Sequence, residues 1–248
     1  LEKDGTGPWY HLSGTPGELV QERLQAQESI VRKHHRADQR LEQALEIAVF
    51  KALQQQQALT YLGRFPDLTK PKGMGPYRKE EPPSHLGNRH VPDDSKLDFI
   101  IISPEQAAIE VKNIRRWVYP QGEEIRALLR KATCLDCVPV MIARRIPYVT
   151  FMLLEQCGVV FHQTYNQLMD ERDREIAEKA RNKSLLGYHD IRIGIEPDTR
   201  LLKFIGANLP AVLPRARKKF DAYKNLLADY ATGGIPYRNL VHRIRSGP

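Results

Sequence analysis

Two β-rich runs, LDFIII and AAIEVKN, flank the short connection SPEQ over residues 97–113. Turn chemistry between two apolar runs is the signature of a hairpin. Successive side chains on a strand alternate between faces, so Glu110 and Lys112 point one way while Ile109 and Val111 point the other. The two charged groups therefore share one surface. Asp98 joins them if the connection holds an odd number of residues, such as Ser103-Pro104-Glu105. An even loop sends it to the opposite face unless a bulge restores the register.

The flanking chain defines what the hairpin packs against. Residues 15–62 read as helical, opening with Thr15-Pro16 as N-cap and first-turn pair. Leu41, Ala44, Leu45, Ala48, Val49, Ala52 and Leu53 recur at three- and four-residue spacing, which buries one face. The chain before Ala37 is more polar, and His34 and His35 in VRKHHRADQR read as a solvated face. The glutamine run at 54–57 reads as a solvated helix end. Residues 63–96, rich in Pro, Gly and charge and without periodicity, read as a loop whose length suits a functional segment.

Beyond the hairpin come a helix (GEEIRALLRKA), a strand (VPVMIARRI), a helical or extended segment (YVTFMLLEQC) and a strand (GVVFHQTYNQL). That alternation is what an α/β sandwich requires. A charged helix follows at 170–183, then FIGANLP and a basic helix, LPRARKKFDAYKNLLADYA, that stops at Gly-Gly. The expected fold is α/β: a mixed central sheet flanked by helices over 37–168, an N-terminal helical arm over 1–36 and a C-terminal helical extension over 169–248.

A chain of 248 residues with 41% apolar residues can bury one sizeable core as a soluble protein. Lys and Arg outnumber Asp and Glu by 38 to 30, giving +8, so a polyanionic partner is expected. Three cysteines make no disulfide framework and suit a reducing compartment. No run reaches the roughly 20 apolar residues that cross a bilayer, and LEKDGTGPWY lacks a signal-peptide core. A cytoplasmic protein without a membrane partner is expected, and the absent initiator methionine reads as trimming.

Two carboxylates converging from paired strands form a hard, oxygen-rich site suited to magnesium or manganese. An adjacent ammonium can position water or stabilise the charge that develops on phosphorus. With LDFIII followed by AIEVKN, the chain resembles the PD-(D/E)XK nuclease superfamily, whose restriction-endonuclease-like fold is shared with archaeal Holliday-junction resolvases. The resemblance covers about residues 37–168. It implies Asp98 and Glu110 as metal ligands, Val111 as a carbonyl ligand, Lys112 as the catalytic lysine, and a glutamate from the preceding helix. Glu46 and Glu42 both carry apolar residues at +3 and +7; Glu46 is preferred. The implied activity is magnesium- or manganese-dependent hydrolysis of phosphodiester bonds, with DNA the expected substrate. A homodimer or partner subunit is one source of specificity. The alternatives are a catalytically inactive nuclease-fold module that binds nucleic acid or a protein partner, and an α/β protein with a coincidental motif.

Other constellations carry less. Cys134 and Cys137 form C-x2-C, and Cys157 with His162 forms C-x4-H, a spacing open to zinc. Cysteines at a helix end and around a core strand serve more simply as small buried hydrophobes. Three cysteines fall short of the four that hold an iron-sulfur cluster, and no thioredoxin-like order accompanies the C-x-x-C. Arg115 and Arg116, just past the motif strand, are expected at the rim where phosphates bind, and Arg144 and Arg145 end another strand. Arg215, Arg217, Lys218, Lys219 and Lys224 form the densest basic run, a packed helix's outer face or a phosphate-binding surface.

Overall fold

The computed structural model describes residues 2–3, 10–11, 13–36, 38–69, 73 and 75–247, with backbone alone at 2–3, 10–11, 31–36, 38 and 39. Ala37 and the side chains of His34 and His35 lie outside the described residues. β1 (Glu2–Lys3) and β2 (Tyr10–His11) pair antiparallel ahead of α1 (Gly17–Arg36) and α2 (Asp38–Gln54). Then follow β3 (Thr60–Leu62), β4 (His85–Leu86), β5 (Arg89–His90), β6 (Phe99–Ser103), β7 (Ala107–Lys112), α3 (Glu123–Leu135) and β8 (Val138–Ala143). The chain continues through α4 (Tyr148–Leu154), β9 (Val160–Gln163), β10 (Gln167–Met169), α5 (Arg174–Arg181) and β11 (Ile191–Ile193). It ends with α6 (Thr199–Lys203), a π turn over Phe204–Asn208, α7 (Leu209–Ala231) and α8 (Tyr237–Ser246).

The central sheet has five strands in the order β3-β6-β7-β8-β9. β3, β6 and β7 run antiparallel to their neighbours in a meander, whereas β7, β8 and β9 are parallel. Parallel neighbours need a crossover, which α3 supplies between β7 and β8. The sheet is thus mixed, and both faces are covered. Ile109, Val111, Val140 and Ile142 pack with Leu45, Ala48 and Ala52 of α2 and with Phe204, Leu209 and Leu213. Ile100, Ala108, Met141 and Ala143 pack on the other face with Ile125, Leu128 and Leu129 of α3 and Phe220, Tyr223 and Leu227 of α7. α7 therefore starts in one core and finishes in the other, passing the strand-entry turn at Gly158. A Cβ there would lie 2.2 Å from the Ala216 carbonyl oxygen, and φ is +82°, so glycine alone permits the approach.

Several expectations change. The helical stretch read over 15–62 is two helices, and Thr60–Leu62 is an edge strand. The Gln56 amide turns back to the Leu53 carbonyl at 2.9 Å, ending the helix. β-Branched Thr60 and aromatic Tyr61 then pair with Ser103 and Ile101. The 63–96 loop contains the β4–β5 hairpin, closed by Gly87-Asn88 with φ +60° at Gly87, and an Arg64–Glu80 bridge. YVTFMLLEQC resolves as helix, and GVVFHQTYNQL divides into β9 and β10.

β10 pairs in parallel with β11 outside the central sheet. Met169 and Ile191 join Ile30 of α1, Leu41 of α2 and Ala177 and Ala180 of α5 in a small separate cluster. The Gly233-Gly234 stop after α7 is present, with Gly233 at φ +83°. Among the described residues no helix is long and apolar enough to cross a membrane.

Candidate active site

The β6–β7 register pairs Phe99 with Ile109, Ile100 with Ala108 and Ile101 with Ala107. The connection is odd, and Asp98, just before β6, sends its own amide to the Ile109 carbonyl at 3.2 Å, which sets it beside the Ile109–Glu110 end of β7. β6 begins at Phe99, so β7 runs on past its partner, and the buried Val111 amide, left without a strand carbonyl, donates to Asp98 Oδ2 at 2.7 Å. A carboxylate thus replaces the missing strand. Glu110 and Lys112 project toward the α3 side, where their strand neighbours Met141 and Ala143 pack. Glu46 arrives from α2 on the other side. All three carboxylates are buried: Glu46 at 8%, Asp98 at 7% and Glu110 at 5% exposure. Glu42, one turn earlier, is exposed.

Three ammonium groups face these three carboxylates. Lys112 Nζ is 3.5 Å from Glu110 Oε1. Lys131 of α3 donates to both Glu110 oxygens, at 2.7 and 3.0 Å, and to the Lys96 carbonyl at 2.8 Å. Lys79, from the segment between β3 and β4, bonds Asp98 and sits 2.8 Å from Glu46 Oε2. That last contact is close but poorly aligned, leaving the buried Glu46 Oε2 without a well-formed hydrogen bond. The charges balance formally, which is what allows them to be buried together.

The shifts follow from this arrangement. Burial, reinforced by the Asp98 charge, raises the Glu46 carboxyl to about 8. Burial and then Asp98 also raise Glu110, against the pull of Lys112 and Lys131. Burial opposes ionisation of Asp98, but Lys79, Lys112 and the Val111 amide together hold it below the usual range. Burial likewise disfavours the Lys79 ammonium, and Asp98 and Glu46 more than restore it. Lys112 is raised in the same way by Glu110 and Asp98. The cluster holds a fixed anion, a carboxyl titrating near neutrality and a firmly protonated lysine, the ingredients of proton transfer and charge stabilisation.

Comparison with protein-family models, curated proteins and solved structures finds no match to this chain. The cluster's chemistry must therefore be read from its own atoms.

The donors suit a hard divalent cation: three carboxylates, one with a buried oxygen lacking an aligned donor, and the Val111 carbonyl beside them in the strand. Among the described residues, no three His, Cys, Asp or Glu side chains stand grouped as metal ligands. The reason lies in the lysines. Lys79 stands between Glu46 and Asp98, and Lys131 holds Glu110. The residues fit such a cation once the Lys79 ammonium withdraws from Glu46 and Asp98 and Lys131 releases an oxygen of Glu110.

Other expected positions are more dispersed. Arg115 is engaged by Asp190 at 2.8 Å and Gln167 at 3.1 Å, and stacks on Tyr188. Arg144 is buried against the same Asp190, and Arg116 pairs with Glu124. Arg215 and Lys218 are exposed on α7, while Lys219 pairs with Glu155 at 2.7 Å. Arg217 and Lys224 both bond Asp136. These α7 groups lie toward the start of β9, away from Lys112. Cys137 and Cys157 lie in the core on the α3 side, their thiols pushed by burial to about 12. His162 stacks on Phe204 on the opposite side, lowered by burial to about 4.

Sequence reasoning missed Lys79, Lys131 and Asn113. Lys131 carried a signal: it lies three residues past Leu128 beside the apolar stripe of α3, and a buried lysine requires an acidic partner. Asn113 is buried just past Lys112, where its amide bonds the carbonyls of Leu41 and Leu168 and accepts from the Leu168 amide at 3.0 Å. It ties the end of β7 to α2 and β10, fixing Glu110 and Lys112 relative to Glu46.

Proposed function

We propose that this chain is a divalent-cation-dependent nuclease, hydrolysing phosphodiester bonds in DNA at a centre of the PD-(D/E)XK kind on a restriction-endonuclease-like core. One observation carries the reading: where β6 gives out, the Asp98 carboxylate accepts from the Val111 amide of β7 between Glu110 and Lys112, and Lys79 joins it to Glu46 from the preceding helix. Asp98, Glu110 and Glu46 would hold magnesium or manganese, with the Val111 carbonyl. Such a cation supplies Lewis acidity, making water a stronger acid and drawing charge from phosphate. Lys112, about one-third exposed, donates to a phosphate oxygen or orients the attacking water. Asn113 and the Val111–Asp98 hydrogen bond hold these groups in place without reorganisation during the reaction.

A second reading, a nuclease-fold module that binds without cleaving, draws on the charge balance, since three ammonium groups already neutralise the three carboxylates. The discriminating experiment incubates plasmid, linear and single-stranded DNA with and without magnesium or manganese, alongside Lys112→Ala and Asp98→Ala. Cation-dependent cleavage that disappears in Lys112→Ala, with the unfolding midpoint of that variant near the parent's, is expected. Undiminished cleavage in both variants refutes the assignment, and no cleavage by the parent leaves the binding module.

A further inference from the structure

A groove follows the outer edge of β9. Its larger hollow, about 770 Å³, is lined by Tyr148, Phe151, Phe161, Gln163, Tyr165 and Arg200. A second hollow, about 380 Å³, shares Phe151, Phe161 and His162 with the first and continues to Arg215 and Lys219 on α7. Tyr148 is 76% exposed, and Phe151 and Tyr165 are both more than 40% exposed. Leaving rings of this size in water forgoes the free energy of burying them, so a cluster of them marks a contact surface.

The charges beside the rings indicate what makes that contact. Arg115, Arg116, Arg144 and Arg217 are each neutralised by a carboxylate. Arg145 and Arg200 have no carboxylate partner among the described residues. Both guanidinium groups face the Tyr165 ring, at 6.0 and 5.3 Å from its centroid, and Arg145 is also 6.0 Å from Trp117. With exposed Arg215 at the far end, the groove carries unneutralised positive charge along an aromatic floor. Phosphates complement the charge, and base faces complement the rings.

A duplex keeps its base faces stacked inside, where these rings cannot reach them, so the rings select unpaired bases. Position agrees with this. Lys112 aligns with Ala143 in β8, and Ala143 with Gln163 in β9, placing the groove's near end two strands, roughly 10 Å, from Lys112.

We propose that the groove along β9 binds a single-stranded nucleic-acid segment and leads it toward the carboxylate cluster. This rests on the nuclease reading and gives that site's substrate class. The test uses the full chain with chelator present, so that nothing is cleaved, and measures fluorescence anisotropy of one labelled DNA oligonucleotide as a single strand and as a blunt duplex.

Tighter binding of the single strand is expected. Tyr165→Ala should weaken it by at least about fivefold, Tyr165→Phe should restore it, and duplex affinity should shift by less than about twofold in both variants. Matching unfolding curves for the two variants exclude a folding defect. Equal or tighter duplex binding by the parent, or undiminished single-strand binding by both Tyr165→Ala and Tyr148→Ala, overturns the proposal. A parent dimer that dissociates in Tyr148→Ala by sedimentation also overturns it, placing a second copy in the groove. Single-strand preference without cleavage in magnesium retains the groove and defeats the catalytic reading. Cleavage with undiminished binding by the groove variants does the reverse.

Discussion

Replacing Lys79 by methionine removes the ammonium that bridges Glu46 and Asp98 while keeping an unbranched chain of similar length. Lys79 and Asp98 are both largely buried, with side-chain exposures of 14% and 10%. Breaking a buried pair by deleting one partner costs about 3 to 5 kcal/mol. The loss should fall near the lower figure, about 3 kcal/mol at neutral pH, because Glu46 already titrates at about 8 and can retain a proton. The same substitution helps a divalent cation, which in the parent must first displace the ammonium. Forfeiting that pair weakens parent binding by a similar amount, so Lys79→Met should bind manganese roughly 100-fold more tightly. Calorimetric titration gives the affinity. Urea unfolding with chelator and then with manganese gives the stability change, which should be a deficit that the cation largely repairs. Binding no tighter than the parent's would refute the idea that Lys79 and the cation compete for one position.

The remaining predictions concern titration and backbone space. Glu46 has a folded-state pKa of about 8 against an ordinary 4.5, so the folded protein binds the extra proton and stability is lost as pH rises through that window. In chelator the parent should lose up to roughly 4 kcal/mol between about pH 5 and about pH 8.5, a slope that Glu46→Gln should flatten. Urea melts across this range decide it, and an equal slope in the variant would show that other groups carry the proton. Gly63→Ala sets a Cβ 2.6 Å from the Asp98 carbonyl oxygen at φ +104°. It should cost about 2 kcal/mol and weaken manganese binding by displacing Asp98; an unfolding midpoint equal to the parent's would mean that the β3 end yields freely.

The β6–β7 hairpin was legible because strand alternation and an odd connection are local rules, and they suffice to bring Asp98, Glu110 and Lys112 near one another. The apolar face of α2 was legible for a similar reason: its spacing is helical, and its two candidate glutamates differ by only one turn. Choosing Glu46 over Glu42 needed the tilt of α2 against the sheet, which the spacing does not encode. Lys79 was not legible, since it enters from a segment without periodicity whose path is set by the Arg64–Glu80 bridge and the β4–β5 hairpin. β3 was hidden because Thr60–Leu62 follows a helix without a Gly or Pro break, and its strand state comes from pairing with β6. The charge on α7 looked continuous in sequence, but Asp136 and Glu155, distant along the chain, neutralise part of it.

The path of α7 from one face of the sheet to the other bears on when the molecule becomes whole. All the charged side chains of the cluster lie before residue 132, yet Leu209 and Leu213 complete one core and Phe220, Tyr223 and Leu227 the other. During synthesis the β7-α3-β8 unit can form from neighbouring segments while both layers still lack their closing helix. Until residues 209–231 emerge from the ribosome, both cores lack their closing helix, although the segments that surround Asp98 and Glu110 have already been made. Residues 209–231 thus close both cores only after every residue of the cluster has been made, and a nascent chain carries the residues of the centre before it carries the fold that holds them.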